Sequence, residues 1–282
     1  MLMGVKKKRL NQSRAQSVVW LLEELNLSYD LKVYKRQADM LAPPALKEIH
    51  PLGKSPVITL ENENTSSPMV LAESGVIIEY MCDHFDGDKL VPKRYHEGKE
   101  GQIGGETDEW MRHKYFMHYV EGSLMPFLVM QLVMDGNFPF SFLKTSRYLP
   151  DLLGRMMKKK KTNEKTVVKN PPLLPFFVKP LPRMVASQVE KAFLDRNITS
   201  NFDFLEQQLK TAPAGGPFLC GKQLSAADIM LSFPVISAAN KFPLAEKWPT
   251  LAKYVELLQE QEGYKRAVKL EESEGKKVES SL

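Results

Sequence analysis

Cysteine is nearly absent: Cys82 and Cys220 are the only two in 282 residues. They build no disulfide framework, and so sparse a use of thiols fits a reducing compartment. Long apolar runs are also lacking. The run from Pro126 to Met134 is far shorter than the roughly 20 residues of a spanning helix. The start of the chain lacks the order of a secretory leader, because apolar Met1 to Val5 precede Lys6 to Arg9 instead of following them. There is no large excess of one charge: 39 Lys and Arg against 34 Asp and Glu leave a net +5. That balance does not by itself imply nucleic acid, and no helix-turn-helix or zinc pattern accompanies the basic runs. His113 and His118 stand five apart, off the spacing of ligands on one helical face, so no metal site is expected. What remains is 43% hydrophobic and 26% charged, an ordinary soluble composition with length for two domains.

The informative stretch is His50 to Tyr80. Pro51 and Gly53 mark a turn. Val57, Ile58 and Leu60 read as a half-buried strand, Asn62 to Pro68 as a polar break, and Met69 to Ala72 as a second strand. Ser74 and Gly75 open a helix whose apolar face would be Val76, Ile77, Tyr80 and Met81. Two features carry chemistry. Ser55-Pro56 stands at a strand start, where an X-Pro bond adopts cis at little expense. A cis bond would turn the Ser55 N–H and C=O outward to pair with an extended peptide. Glu73-Ser74 stands at a helix N-terminus, whose N–H groups and dipole favour a carboxylate. Each also has a plainer reading: Pro56 as a trans strand-edge proline, Ser74 as an ordinary cap. A phosphate loop at Gly53-Lys54-Ser55 is excluded, since Glu48 occupies the position of the required glycine and Pro56 opens a strand.

Around this stretch, Arg14 to Asn26 reads as an amphipathic helix with Val18, Leu21, Leu22 and Leu25 on one face and a capping box from Ser13 to Gln16. Ser28 to Tyr34 reads as a strand, and Ala42-Pro43-Pro44 as the start of a short helix. Met1 to Leu10 would be the first strand. Four consecutive cations, Lys6 to Arg9, conflict with burial on both faces, so either that strand is short and distorted or this N-terminus is not the functional one. Residues 88–100 read as a linker, and helices follow from about Ile103. Trp110 to Met134 is one long helix or a kinked pair, interrupted by Gly122 and Pro126. Residues 135–170 read as an atypical solvated insertion, with aromatics (Phe138, Phe140, Phe142, Tyr148) followed by Lys158 to Lys161, a pairing that also suits an anionic membrane surface; translated intron is the third reading. Met184 to Phe193 and Ile198 to Leu209 read as one or two helices. Leu224-Ser225-Ala226-Ala227-Asp228-Ile229 is a capping box with a hydrophobic staple. Trp248 to Gln261 and Gly263 to Glu271 are the last helices, and 272–282 is a charged, frayed tail.

Several motifs in order resemble one family: Ser13-Arg14-Ala15, then Trp20 to Leu27, Ala42 to Pro56, Glu73-Ser74-Gly75, and Tyr119-Val120-Glu121-Gly122-Ser123-Leu124. They resemble the glutathione S-transferase superfamily, and more narrowly its fungal membrane-associated, yeast-type members, over roughly 11–134 and 171–270. The resemblance implies an α+β architecture: a thioredoxin-like domain over 1–87, then an all-α domain over 101–271. It implies a transferase joining the glutathione thiolate to hydrophobic electrophiles in detoxification, with glutathione-dependent peroxidase activity as a further expectation. The alternative is a non-catalytic, glutathione-transferase-like binding or regulatory protein.

By the same resemblance, glutathione is the co-substrate and no metal is involved. Ser55 and Pro56 would hold the cysteinyl backbone, Lys54 the peptide, and Glu73 and Ser74 the γ-glutamyl end. Ser13 would be catalytic. A thiol of pKa about 8.5 is only a few per cent ionised at neutral pH, and a hydroxyl donor beside a helix N-terminus lowers that value. Ser13 as a mere helix cap is the competing reading, with Asn11, Gln12 and Arg14 as alternative donors. Tyr115 and Tyr119, four apart, would border the second-substrate pocket, or simply fill core. A homodimer in the cytoplasm is implied, without nucleic acid; the alternative location is peripheral, at the endoplasmic reticulum membrane.

Overall fold

The structure is a computed structural model that describes residues 4–10, 13–37, 41–61, 66–135 and 190–280. Its elements are β1 Gly4–Leu10, α1 Ala15–Glu24, β2 Tyr29–Tyr34, β3 Val57–Glu61, β4 Met69–Ala72, α2 Ser74–His84, α3 Asp108–Tyr119, α4 Met125–Met134, α5 Asp195–Lys210, α6 Ala226–Ala239, α7 Leu244–Lys247, α8 Pro249–Glu260 and α9 Glu262–Ser280. The chain divides into two compact units, one of Met1–Leu128 with Ile198–Leu282, the other of Val129–Asn197. Everything that positions the site lies in the first.

The sheet runs in the order β2-β1-β3-β4. β1 is parallel to β2 and antiparallel to β3, and β4 is antiparallel to β3. A parallel pair needs a crossover, which α1 supplies. With α2 after β4 the topology is thioredoxin-like, and α3 to α9 make an all-helical half. Register decides where loops meet. Val57 stands opposite Lys8 on one side and Ala72 on the other. The chain leaving β1, entering β3 and leaving β4 therefore meets at one end of the sheet.

β1 corrects the expectation of a short, distorted first strand. It is the full-length central strand, and Lys6 to Arg9 lie within it. Ladder bonds join main-chain groups on both edges, so topology overrides a side-chain pattern unfavourable to burial. α1 also differs from a one-sided helix. Val18, Val19, Trp20, Leu21 and Leu22 are all fully buried, because α2, α6 and α9 all pack on it. The Trp20 ring meets Tyr264 edge-on at 5.3 Å, and Arg266 donates to Glu23 at 2.9 Å. In α2 the buried face is Ile77, Ile78, Met81 and Cys82, while Val76 points outward at 50% exposure. Pro44 opens only a 3-10 turn, Pro44–Leu46.

The interruption at Gly122 and Pro126 is a π-turn, Val120–Leu124, between α3 and α4. α3 starts at Asp108, after Thr107, whose hydroxyl oxygen accepts the Trp110 N–H at 3.2 Å. A second π-turn, Glu190–Leu194, precedes α5. At the start of α6 the predicted capping box is present. Asp228 is fully buried there, its Oδ2 accepting from the Ser225 N–H (2.9 Å) and Oγ (2.6 Å), its Oδ1 from the Leu219 N–H (2.9 Å) and Tyr254 hydroxyl (2.7 Å). α9 continues to Ser280, where the sequence suggested a frayed tail. The expected insertion lies outside the described residues apart from Asp135. No helix of the described residues is long and apolar enough to cross a membrane.

Candidate functional site at one end of the sheet

Three of the sequence motifs flank the same end of the sheet. The Ser55–Pro56 peptide is cis and leads directly into β3. Lys54 is exposed, Ser55 half-buried and Pro56 buried. Because Val57 pairs with Ala72, Pro56 and Glu73 follow from opposite strands at that end. Glu73 has φ 70° and ψ 125°, a conformation rare for a side chain other than glycine, and its side chain makes no capping bond. Residues held there are typically ones the surroundings over-determine, and they cluster at functional sites. Ser74 is 5% exposed. Among the described residues, no hydrogen bond is made to the N–H groups of Ser74, Gly75 or Val76.

In front of this helix start lies a cavity of about 210 Å³. Glu73, Ser74, Gly75, Val76 and Glu79 line it from the α2 side, and Met117, His118, Glu121 and Met230 from the helical half. Glu79 accepts from Lys114 at 2.7 Å, and Glu121 pairs with Arg14. The wall thus joins acidic side chains to a helix N-terminus, which suits a ligand end bearing both an ammonium and a carboxylate. A larger cavity of about 330 Å³, near Lys89, Cys220 and Lys222, contains none of the predicted site residues. Among the described residues no cluster of three His, Cys, Asp or Glu could hold a metal.

Ser13 is buried, and its Oγ accepts from the Ala15 N–H at 3.3 Å. Gln16 does not close a capping box; its amide donates to the Tyr264 hydroxyl at 3.3 Å. The residue in the cap position is Arg14. Neither cysteine is poised as a nucleophile. Burial pushes both thiols up to about 12, aided by Asp83 at Cys82 and by Asp228 at Cys220. Thiol chemistry here would therefore use a thiol brought from outside. His113 is 3% exposed with an unpartnered Nδ1, and burial followed by the Lys114 charge lowers its pKa to about 4.

Tyr115 and Tyr119 stack on each other at 5.7 Å, with Phe116 and Phe204 against them. Tyr119 is buried and donates to Asn201 at 2.6 Å, whereas Tyr115 is about half exposed. Neither lines the cavity at α2. Glu79, His118 and Glu121 do, and the sequence motifs do not point to them as site residues. Only Glu121 left a signal, the Glu-Gly pair just before Pro126 in an otherwise helical stretch.

Comparison with known proteins bears on this arrangement. A family model described as "Glutathione S-transferase, N-terminal domain" matches residues 13–84. A second, "Glutathione S-transferase, C-terminal domain", matches residues 157–266, beginning inside the stretch read as an insertion. Glutathione S-transferase 1 of Saccharomyces cerevisiae is 31% identical over 256 residues, covering 90% of each chain. A solved glutathione S-transferase from Actinobacillus pleuropneumoniae superposes with TM-score 0.59 at 23% identity, covering 93% of this chain and 90% of its own. A glutathione transferase from Phanerochaete chrysosporium, solved with oxidized glutathione, superposes with TM-score 0.58 at 16% identity, covering 98% and 96%.

Proposed function

The chain belongs to the glutathione S-transferase family, and we propose that it binds glutathione at this sheet end and conjugates it to small hydrophobic electrophiles. The γ-glutamyl carboxylate takes the α2 N-terminus at Ser74, and Glu73 takes its ammonium. Ser55 pairs with the cysteinyl backbone beside Pro56, and Lys54 faces the rest of the peptide. The Ser13 hydroxyl stabilises the thiolate, which attacks an electrophilic carbon and expels its leaving group with the bonding pair. Hydroperoxides are further acceptors for the same thiolate. The observation that most supports this reading is the register: Val57 against Lys8 and Ala72 brings the three motifs to one end, beside a cavity with a helix N-terminus in its wall. The raised pKa of both cysteines also supports it, since neither supplies a competing thiolate. Val76, Met111 and Tyr115 are large and half-exposed, and we propose that a second copy covers them in a cytoplasmic homodimer.

One observation favours a second reading, a glutathione-binding protein without turnover: the Ser13 Oγ already accepts a bond from its own helix start. Calorimetric titration with glutathione tests the site, with a dissociation constant in the micromolar to millimolar range expected. Turnover by Ser13→Ala then separates the readings. A large loss of kcat with binding retained supports the enzyme; glutathione binding with no turnover by the wild type on any electrophile supports the binder.

A further inference from the structure

The larger cavity, of about 330 Å³, shares no residue with the one at α2. Small-molecule sites run from roughly 300 to 1,000 Å³. Its walls are residues 88–93, which follow α2, and the loop before α6, with Glu109 of α3 beside them. Main-chain contacts hold these walls in place. The Leu90 C=O accepts the Ala226 N–H at 2.8 Å. The Lys93 C=O accepts the Thr107 hydroxyl at 2.6 Å. Gly216 packs so tightly on Gly221 that an added Cβ would stand 2.0 Å from its carbonyl carbon. A cavity fixed in this way costs a ligand little in loop ordering.

The charged groups around it are Lys89, Lys93 and Lys222 against Asp88 and Glu109. Lys89 reaches Asp86 only at 4.0 Å. Lys93 and Lys222 enter no ion pair among the described residues. The successive N–H groups of Lys222, Gln223 and Leu224 make no hydrogen bond among the described residues either. Donors therefore outnumber acceptors along the wall. Every cation is a lysine, which binds phosphate as a point charge, and none is an arginine, whose fork matches a planar carboxylate. Leu90, Pro213 and Leu224 add apolar surface.

We propose that this cavity is a second ligand site, independent of the glutathione site, and that it takes a small phosphomonoester. The phosphate meets Lys93 and Lys222, with Lys89 nearby, and the organic body lies against Leu90, Pro213 and Leu224. Binding is non-covalent. The bond between Leu90 and Ala226 ties the chain after α2 to the start of α6 at this point. An occupied cavity braces that junction, so the ligand stabilises the folded chain by mass action.

The test is calorimetric titration of the full chain with phenyl phosphate, with phenol and inorganic phosphate as comparisons. Phenyl phosphate should bind in the micromolar to millimolar range and raise the melting temperature. Phenol should not bind, and inorganic phosphate should bind more weakly. Lys93→Ala and Lys222→Ala should each weaken phenyl phosphate by about three- to tenfold, the size of one exposed charge contact. Glu109→Gln should tighten it, because an opposing charge is gone. Saturating glutathione should leave the affinity unchanged. The two lysines are exposed, and if the alanine variants fail to fold, Lys222→Gln and Glu109→Gln carry the test. No binding at millimolar concentration overturns the proposal. So does phenol binding as tightly as its phosphate, which would make the cavity merely apolar, or affinity that survives loss of both lysines. Competition by glutathione would put the phosphate at α2 and overturn the second site, and weaker binding by Glu109→Gln would mean that the site prefers a cation.

Discussion

Two helix starts in this chain are built from similar residues and do different things. α6 begins after Ser225, in ordinary extended backbone, and Asp228 accepts four hydrogen bonds from groups around it. α2 begins after Glu73, in a rare positive-φ conformation, with no capping bond from Glu73 and a cavity of about 210 Å³ in front. A start whose donors are answered by its own chain is closed and serves folding. One whose donors face a cavity across twisted backbone is suited to a ligand carboxylate. Both starts contain a serine and an acid, so the residue types alone do not separate them; the partners do.

Removing the closed network should have the largest effect. Asp228→Ala would leave the Leu219 N–H, Ser225 N–H and Tyr254 hydroxyl unpaired in the core. At roughly 1–3 kcal/mol per orphaned group, we expect a loss of more than about 3 kcal/mol in chemical denaturation. Glutathione affinity of the folded fraction should hold. An equal loss of affinity would mean the two starts are not independent.

Acid probes α3, which packs against α6 and is tied to α2 through Lys114 and Glu79. His113 titrates near 4 in the folded chain against 6.5 ordinarily. The unfolded chain therefore binds more protons between those values, and stability falls as pH drops from about 6.5 to about 4, levelling below. The fall approaches about 3 kcal/mol at 1.36 kcal/mol per unit. Melting curves against pH should show this slope, and His113→Gln should flatten it. An unchanged slope in the variant would assign the acid sensitivity elsewhere.

How much of this was readable in the sequence follows from the range of each interaction. Ser55-Pro56, Glu73-Ser74 and Ser225-Asp228 are local signals, each decided within a few residues, and the structure forms the corresponding turn, helix start and capping box. β1 is hard to see in the sequence because Lys6 to Arg9 advertise solvent, while the strand's place is set by pairing with residues some 20 and 50 positions away. Glu121 and the further partners of Asp228 were hidden for the same reason: Arg14, Leu219 and Tyr254 give them meaning only after folding. α1 looked one-sided because nothing in its own residues announces the helices α6 and α9 that cover its other face.

Ser225→Ala is a milder attack on the closed start. Loss of an N-cap hydroxyl typically costs about 0.5–2 kcal/mol. The melting temperature should fall, with glutathione affinity of the folded fraction unchanged. A loss of affinity without a loss of stability would contradict the assignment of this start to folding.

Gly75→Ala should have the smallest effect on stability and the sharpest meaning. Gly75 lies within the first turn of α2, and an added Cβ would meet nothing within 4 Å. Alanine is the better helix residue by up to about 1 kcal/mol, so on folding grounds alone the change is neutral or slightly favourable. Gly75 also lines the cavity, where a methyl would occupy space that a carboxylate approaching the helix N-terminus needs. We therefore expect an unchanged or slightly raised melting temperature together with glutathione binding weakened about threefold or more, roughly 0.7 kcal/mol. A variant that keeps full affinity would place the carboxylate away from the start of α2. The difference between the two starts would then be one of capping chemistry alone.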